Sequence, residues 1–177
     1  MPIMKSYLVL LFLVGCAGTV TKTPEKPPYN GSYYKVESTL EWVKEVAQIA
    51  DCVTNNTEFH QEIASYPKYE HYDGESSKIV TDLLSDKKAI VGTYYKKFTK
   101  ARAYRNVGSD KIWLNRAKLG NVDSGLNNTM IHERLHVLGY GHKGNKKFQY
   151  NNVESVPYKV GKFSEKYVEK CKPRKTK

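Results

Sequence analysis

The chain has 177 residues, 40% of them hydrophobic and 27% charged, which suits one globular domain with a modest core and leaves no need for a second. Its formal net charge is +11, which fits nucleic acid, an anionic membrane or cell-wall surface, or a plain solvated basic surface. The lysines are spread along the chain, and the one dense cluster is the terminal Lys172-Pro173-Arg174-Lys175-Thr176-Lys177. No aromatic RNA-binding motif or paired zinc-finger cysteines accompany them, so no nucleic-acid partner is expected, and the chain is expected to be a monomer.

Lys5 precedes an apolar run from Tyr7 to Val14 that is too short to span a bilayer but suits the core of a signal peptide. The run ends in Leu13-Val14-Gly15-Cys16, which resembles the lipobox of bacterial lipoproteins. That resemblance implies removal of residues 1–15 and acylation of Cys16, palmitate included. It also implies anchoring in the bacterial cell envelope, at the periplasmic face of the outer membrane or at the cell surface. An ordinary secretion signal with an incidental cysteine is the alternative. From Ala17 to Asn30 the composition turns to Thr, Lys and Pro, too poor in apolar residues to pack. Residues 16–35 therefore read as a linker and 36–177 as the folded domain. With Cys16 lipidated, Cys52 and Cys171 remain in a compartment that permits disulfides, and they are expected to pair; two buried thiols are the alternative.

Ser38 and Glu41 fit a capping box, after which Leu40, Val43, Ala47 and Ala50 recur at helical spacing to about Val53. Further helices are expected over Glu58 to Ala64 and Ser77 to Leu84, the latter with Ile79, Leu83 and Leu84 facing inward. Ala89 to Tyr95, Ala101 to Tyr104 and Lys111 to Asn115 are β-branched or aromatic runs broken by Gly and polar residues, which read as a small sheet. Asp123 or Ser124 can cap a following helix on which Leu126, Met130, His132 and His136 share one stripe.

That helix runs into His132-Glu133-Arg134-Leu135-His136-Val137-Leu138-Gly139-Tyr140-Gly141-His142, which is H-E-x-x-H-x-x-G-x-x-H without a mismatch. Residues four apart on a helix point about 40° apart, so His132 and His136 can address one ion. A third ligand on the next turn of a straight helix would spoil tetrahedral geometry. Gly139 lets the chain leave the helix in the left-handed conformation and bring His142 in from another side. Three protein ligands leave a fourth position for water whose pKa zinc lowers to about 7. Glu133 is not needed as a ligand and is placed to take that water's proton and pass it to a leaving amine. His60 and His71 read as ordinary histidines.

The motif resembles that of the metzincins, a clan of zinc endopeptidases. The resemblance implies one catalytic zinc on His132, His136 and His142, with Glu133 as general base. It also implies a strand before the active-site helix whose edge binds extended peptide, for which Lys111 to Asn115 is the candidate. The family places a methionine turn beneath the metal, and this chain has no methionine after His142. Ser155-Val156-Pro157-Tyr158 is the best counterpart, with Val156 and Pro157 as apolar packing in methionine's place. Tyr158 is the candidate phenol for a zinc contact or the oxyanion, against the plainer reading of a packed tyrosine. Phe163, Tyr167 and Cys171 repeat every four residues, as in a closing helix.

The sequence thus leads to an α+β domain with a small twisted sheet, an active-site helix and a C-terminal helix. The expected activity is hydrolysis of protein or peptide substrates by a zinc-dependent peptidase on a lipid-anchored membrane protein. Two other readings stay open. One is a catalytically silent zinc-binding lipoprotein that serves as a cell-envelope binding module. The other is an amidase acting on cell-wall peptide.

Overall fold

A computed structural model describes residues 29–119, 124–142 and 153–173. The signal peptide, Cys16, most of the linker and Asp123 lie outside the described residues, as does the side chain of Ser124. No helix among the described residues is long and apolar enough to cross a membrane.

The architecture is α+β. Four strands, β1 (Tyr34–Val36), β2 (Ala89–Tyr94), β3 (Ala103–Arg105) and β4 (Lys111–Asn115), form one sheet in the order β1-β2-β4-β3. β1, β2 and β4 run parallel, while β3 lies antiparallel to β4 at the far edge. β4 is therefore an interior strand, and the expectation that Lys111 to Asn115 offers a free edge is corrected. The hairpin through Gly108, whose φ is +79°, returns β3 onto β4 and occupies that edge. The linker boundary is corrected too. Tyr34 and Val36 are wholly buried and Tyr33 nearly so, because β1 adds to the sheet beside β2. Three apolar side chains in four residues drive this pairing despite the polar stretch before them.

Helices α1 (Glu41–Thr54), α2 (Thr57–Ser65) and α3 (Ser76–Leu83) follow the expected periodicity. In α1, Val43, Val46, Ala47, Ala50 and Val53 form one buried stripe. The Ser38–Glu41 capping box does not form: Leu40 is the N-cap, and the Ser38 hydroxyl accepts the Leu40 N–H at 3.3 Å. Asn56 caps α2 by accepting the Phe59 N–H at 3.0 Å. In α3, Ile79 and Leu83 are buried, but Leu84 is 42% exposed, since the helix ends one residue earlier and Leu84 turns outward.

The central helix α4 (Ser124–Val137) buries Leu126, Met130, Ile131 and Leu135. Arg134 of the same helix is also fully buried. Its guanidinium donates to the carbonyls of Leu83 (2.8 Å), Lys87 (3.1 Å) and Ser85 (3.3 Å), and lies 4.5 Å from the Tyr33 ring centroid. α4 packs closely on α5 (Val156–Ser164) at Gly161, where a Cβ would stand 2.5 Å from Asn128 Oδ1. A 3₁₀ turn (Glu165–Tyr167) and α6 (Val168–Cys171) close the chain. Phe163 and Tyr167 are buried against the core, as their spacing indicated.

Cys52 in α1 and Cys171 in α6 are joined by a disulfide, with 5.7 Å between Cα atoms and a sequence separation of 119. A loop of that size restricts the unfolded chain strongly. Cys52→Ser with Cys171→Ser is expected to lower unfolding free energy by about 2–5 kcal/mol, read as a shift of the urea midpoint.

Candidate metal centre

The site is built from the end of α4, the turn that follows it and the start of α5. α4 stops at Val137 because Gly139 takes φ +101°. The Tyr140 N–H then reaches back to the Leu135 carbonyl (2.9 Å) and the Gly139 N–H to that of His136 (3.1 Å). This pair of bonds is a Schellman cap, and it turns the chain so that His142 comes round to the face carrying His132 and His136. Gly139→Ala would force a left-handed alanine at about 1–2 kcal/mol. The substitution is expected to weaken metal binding more than it lowers the melting temperature, as titration calorimetry beside thermal unfolding would show.

His132 Nε2 stands 3.2 Å from His136 Nε2 and 3.3 Å from His142 Nε2. Nitrogens each about 2.0–2.1 Å from one tetrahedral ion are separated by roughly 3.3–3.4 Å, so the spacing is that of a shared ion. The outer nitrogens are engaged elsewhere. His136 Nδ1 donates to the Tyr140 carbonyl at 2.7 Å and His142 Nδ1 pairs with the Ser155 hydroxyl at 2.9 Å, while the Pro157 carbonyl lies near enough to the His132 ring to favour its protonated form. Because a carbonyl only accepts, the bond to Tyr140 places the proton on His136 Nδ1 and leaves its Nε2 as a bare lone pair. Such lone pairs facing each other repel unless a cation lies between them, so the donor set fits a metal ion.

Electrostatics point the same way. Burial, then the neighbouring His136 and His142, push the His132 ring well below the usual imidazole range. Burial lowers His136 as well, and burial followed by His136 brings His142 down to about 4. All three rings are neutral at pH 7, the form that ligates. Among the described residues this is the one group of three or more His, Cys, Asp or Glu side chains close enough to share an ion. His60 is occupied by the Thr54 carbonyl at 2.6 Å, and His71 stays on the surface in a left-handed conformation, φ +59°.

Glu133, next to the first ligand, is only 9% exposed, and its carboxylate takes no hydrogen bond or ion pair among the described residues. Burial raises it to about 7, with the Arg105 charge pulling in the opposite direction. A buried carboxylate without a partner costs stability, and near pH 7 it can both accept and release a proton.

The segment Ser155-Val156-Pro157-Tyr158 is not a free turn. It is the start of α5, with Ser155 as N-cap and Pro157 in the first turn, where a missing N–H costs nothing. Val156 and Pro157 are buried. The Tyr158 ring, 40% exposed, lies 4.5 Å from the His132 ring and stacks on His142 at 4.6 Å. An aromatic face thus rests against two of the three candidate ligands. The sequence reading missed Ser155 and Tyr140 as partners of the outer nitrogens, Pro157 as the carbonyl near the His132 ring, and Arg105, which lies on the strand packed over α4. The motif's spacing carries no signal for any of the four.

No protein-family model matches the chain, and no curated protein or solved structure matches it.

Proposed function

We propose that the chain is a zinc-dependent endopeptidase of the metzincin kind, held on a bacterial envelope membrane through Cys16. The observation that supports it most is the convergence of three imidazoles, with His132 Nε2 at 3.2 and 3.3 Å from the other two, beside the buried carboxylate of Glu133, which takes no hydrogen bond or ion pair among the described residues. A structural zinc would close its coordination with a fourth protein ligand. Three histidines with an adjacent base suit an open, catalytic site. When bound, zinc supplies Lewis acidity toward a carbonyl and a lowered pKa for water.

The remaining work falls to this chain's own groups. The Tyr140 carbonyl and the Ser155 hydroxyl hold the His136 and His142 rings in orientation. Glu133, only 9% exposed, takes a proton from the attacking water and returns it to the leaving amine. Tyr158 borders the same space and is the candidate donor to the oxyanion.

The test is metal content and peptide hydrolysis on one preparation of the full-length protein. About one zinc per chain is expected, with hydrolysis lost to a chelator and restored by zinc. Zinc without cleavage of a broad peptide library would overturn the peptidase and leave the zinc-binding envelope module. A preparation that takes up no zinc would overturn both.

A further inference from the structure

The positive charge of this protein is not spread evenly around the candidate site. Between Tyr94 and Leu119 the sequence contains a single carboxylate, Asp110, and Lys87 pairs with it at 3.2 Å. In the same stretch Lys96, Lys97, Lys100, Arg102 and Arg116 are exposed and make no ion pair among the described residues. Arg105, half-buried on β3, spends one guanidinium N–H on the Ser109 carbonyl at 2.8 Å, and its side chain makes no other hydrogen bond among the described residues.

These cations sit on a built platform. Asn115 at the end of β4 is fully buried, and its side chain bonds the Lys96 N–H (3.0 Å), the Lys96 carbonyl (2.9 Å), the Ala101 carbonyl (3.1 Å) and the Ala117 N–H (3.1 Å). One amide thus pins both basic loops to the end of the sheet. β3 packs on α4 and pairs only with β4, so its outer edge is open among the described residues. Because Arg105 is in register with the buried Ile112, its side chain leaves β3 on the face toward α4. Its charge there reaches both Glu133 and His136.

We propose that the site takes acidic peptide: an extended segment adds along the β3 edge, and its carboxylate side chains are met by Arg105 within the cleft and by the pinned basic loops beyond it. This rests on the peptidase reading and names its substrate class. Backbone pairing at an edge gives affinity with little sequence demand, so discrimination falls to side chains facing the flanking charges. Guanidinium groups with free N–H donors suit carboxylates in particular.

The test uses full-length, zinc-loaded Glu133→Gln protein, in which a peptide stays intact. Fluorescence anisotropy is read with a labelled peptide carrying Asp and Glu, and with its isosteric Asn and Gln counterpart. The acidic peptide is expected to bind about tenfold tighter, an advantage that shrinks as salt rises. Arg105→Gln should lose most of that ratio and Arg105→Lys keep it. A joint change of Lys96, Lys97, Lys100 and Arg102 to serine should lower the salt dependence. Equal affinity for the two peptides overturns the proposal, and so does a preference that survives Arg105→Gln. Binding to phosphatidylglycerol vesicles through the same cations without peptide discrimination also overturns it and gives the surface to lipid headgroups. Parent protein that cleaves both peptides equally sinks this proposal alone. Parent protein that cleaves neither, while the acidic one still binds through Arg105, sinks the peptidase and leaves an acidic-peptide site.

Discussion

Glu133→Gln is expected to keep about one zinc per chain and to lower kcat for peptide hydrolysis by about 10²–10⁴. The substitution is isosteric, and Glu133 is not among the groups whose nitrogens converge, so the ligand geometry has no reason to change. What disappears is the one buried acceptor beside the first ligand. Since that carboxylate takes no hydrogen bond or ion pair among the described residues, thermal stability should stay level or rise slightly. Turnover equal to the parent's would remove Glu133 from the reaction. Loss of zinc together with turnover would instead make it part of the metal site's scaffold.

Arg134→Met is expected to cost about 3–5 kcal/mol of unfolding free energy, measured by urea titration. Methionine can fill much of the volume but donates nothing to the carbonyls of Leu83, at the end of α3, and of Ser85 and Lys87, in the connection to β2. Those acceptors would then face an apolar interior. The packing of the guanidinium over Tyr33 would go as well, a contact of the kind worth about 1–2 kcal/mol when desolvated. A loss under about 1 kcal/mol would mean that water enters and replaces the guanidinium. Arg134 and Glu133 are neighbours with opposite duties: one pins α4 to the core, while the other takes no hydrogen bond or ion pair among the described residues.

The parts of this fold that could be read from the sequence are those governed by local spacing. His132, His136 and Gly139 declare themselves because four residues on a helix and one glycine past its end are geometric facts of the chain alone. The helices from Glu41 and Ser76 show their buried stripes in the same way. Pairing between distant segments leaves no such trace. Nothing in Tyr33-Tyr34-Lys35-Val36 says that it will join Ala89–Val91, and a proline-rich neighbour argues for linker. Whether β3 or β4 takes the sheet edge depends on a hairpin returning over α4, which composition does not reveal. Asn115 and Arg134 look like ordinary polar residues until four polar backbone groups in one case and three carbonyls in the other are found around them.

The bond between Cys52 and Cys171 makes the domain a closed covalent circuit containing every candidate ligand and the partners of their outer nitrogens. Any single backbone cut within that circuit opens a ring and does not divide the molecule. His142 and Ser155 would stay tethered to the α4 histidines at high effective concentration even with the chain severed between them. Such a nicked protein runs as one species until a reductant separates the halves. A domain exposed to peptidases is thereby protected from losing its candidate metal site to one stray cleavage.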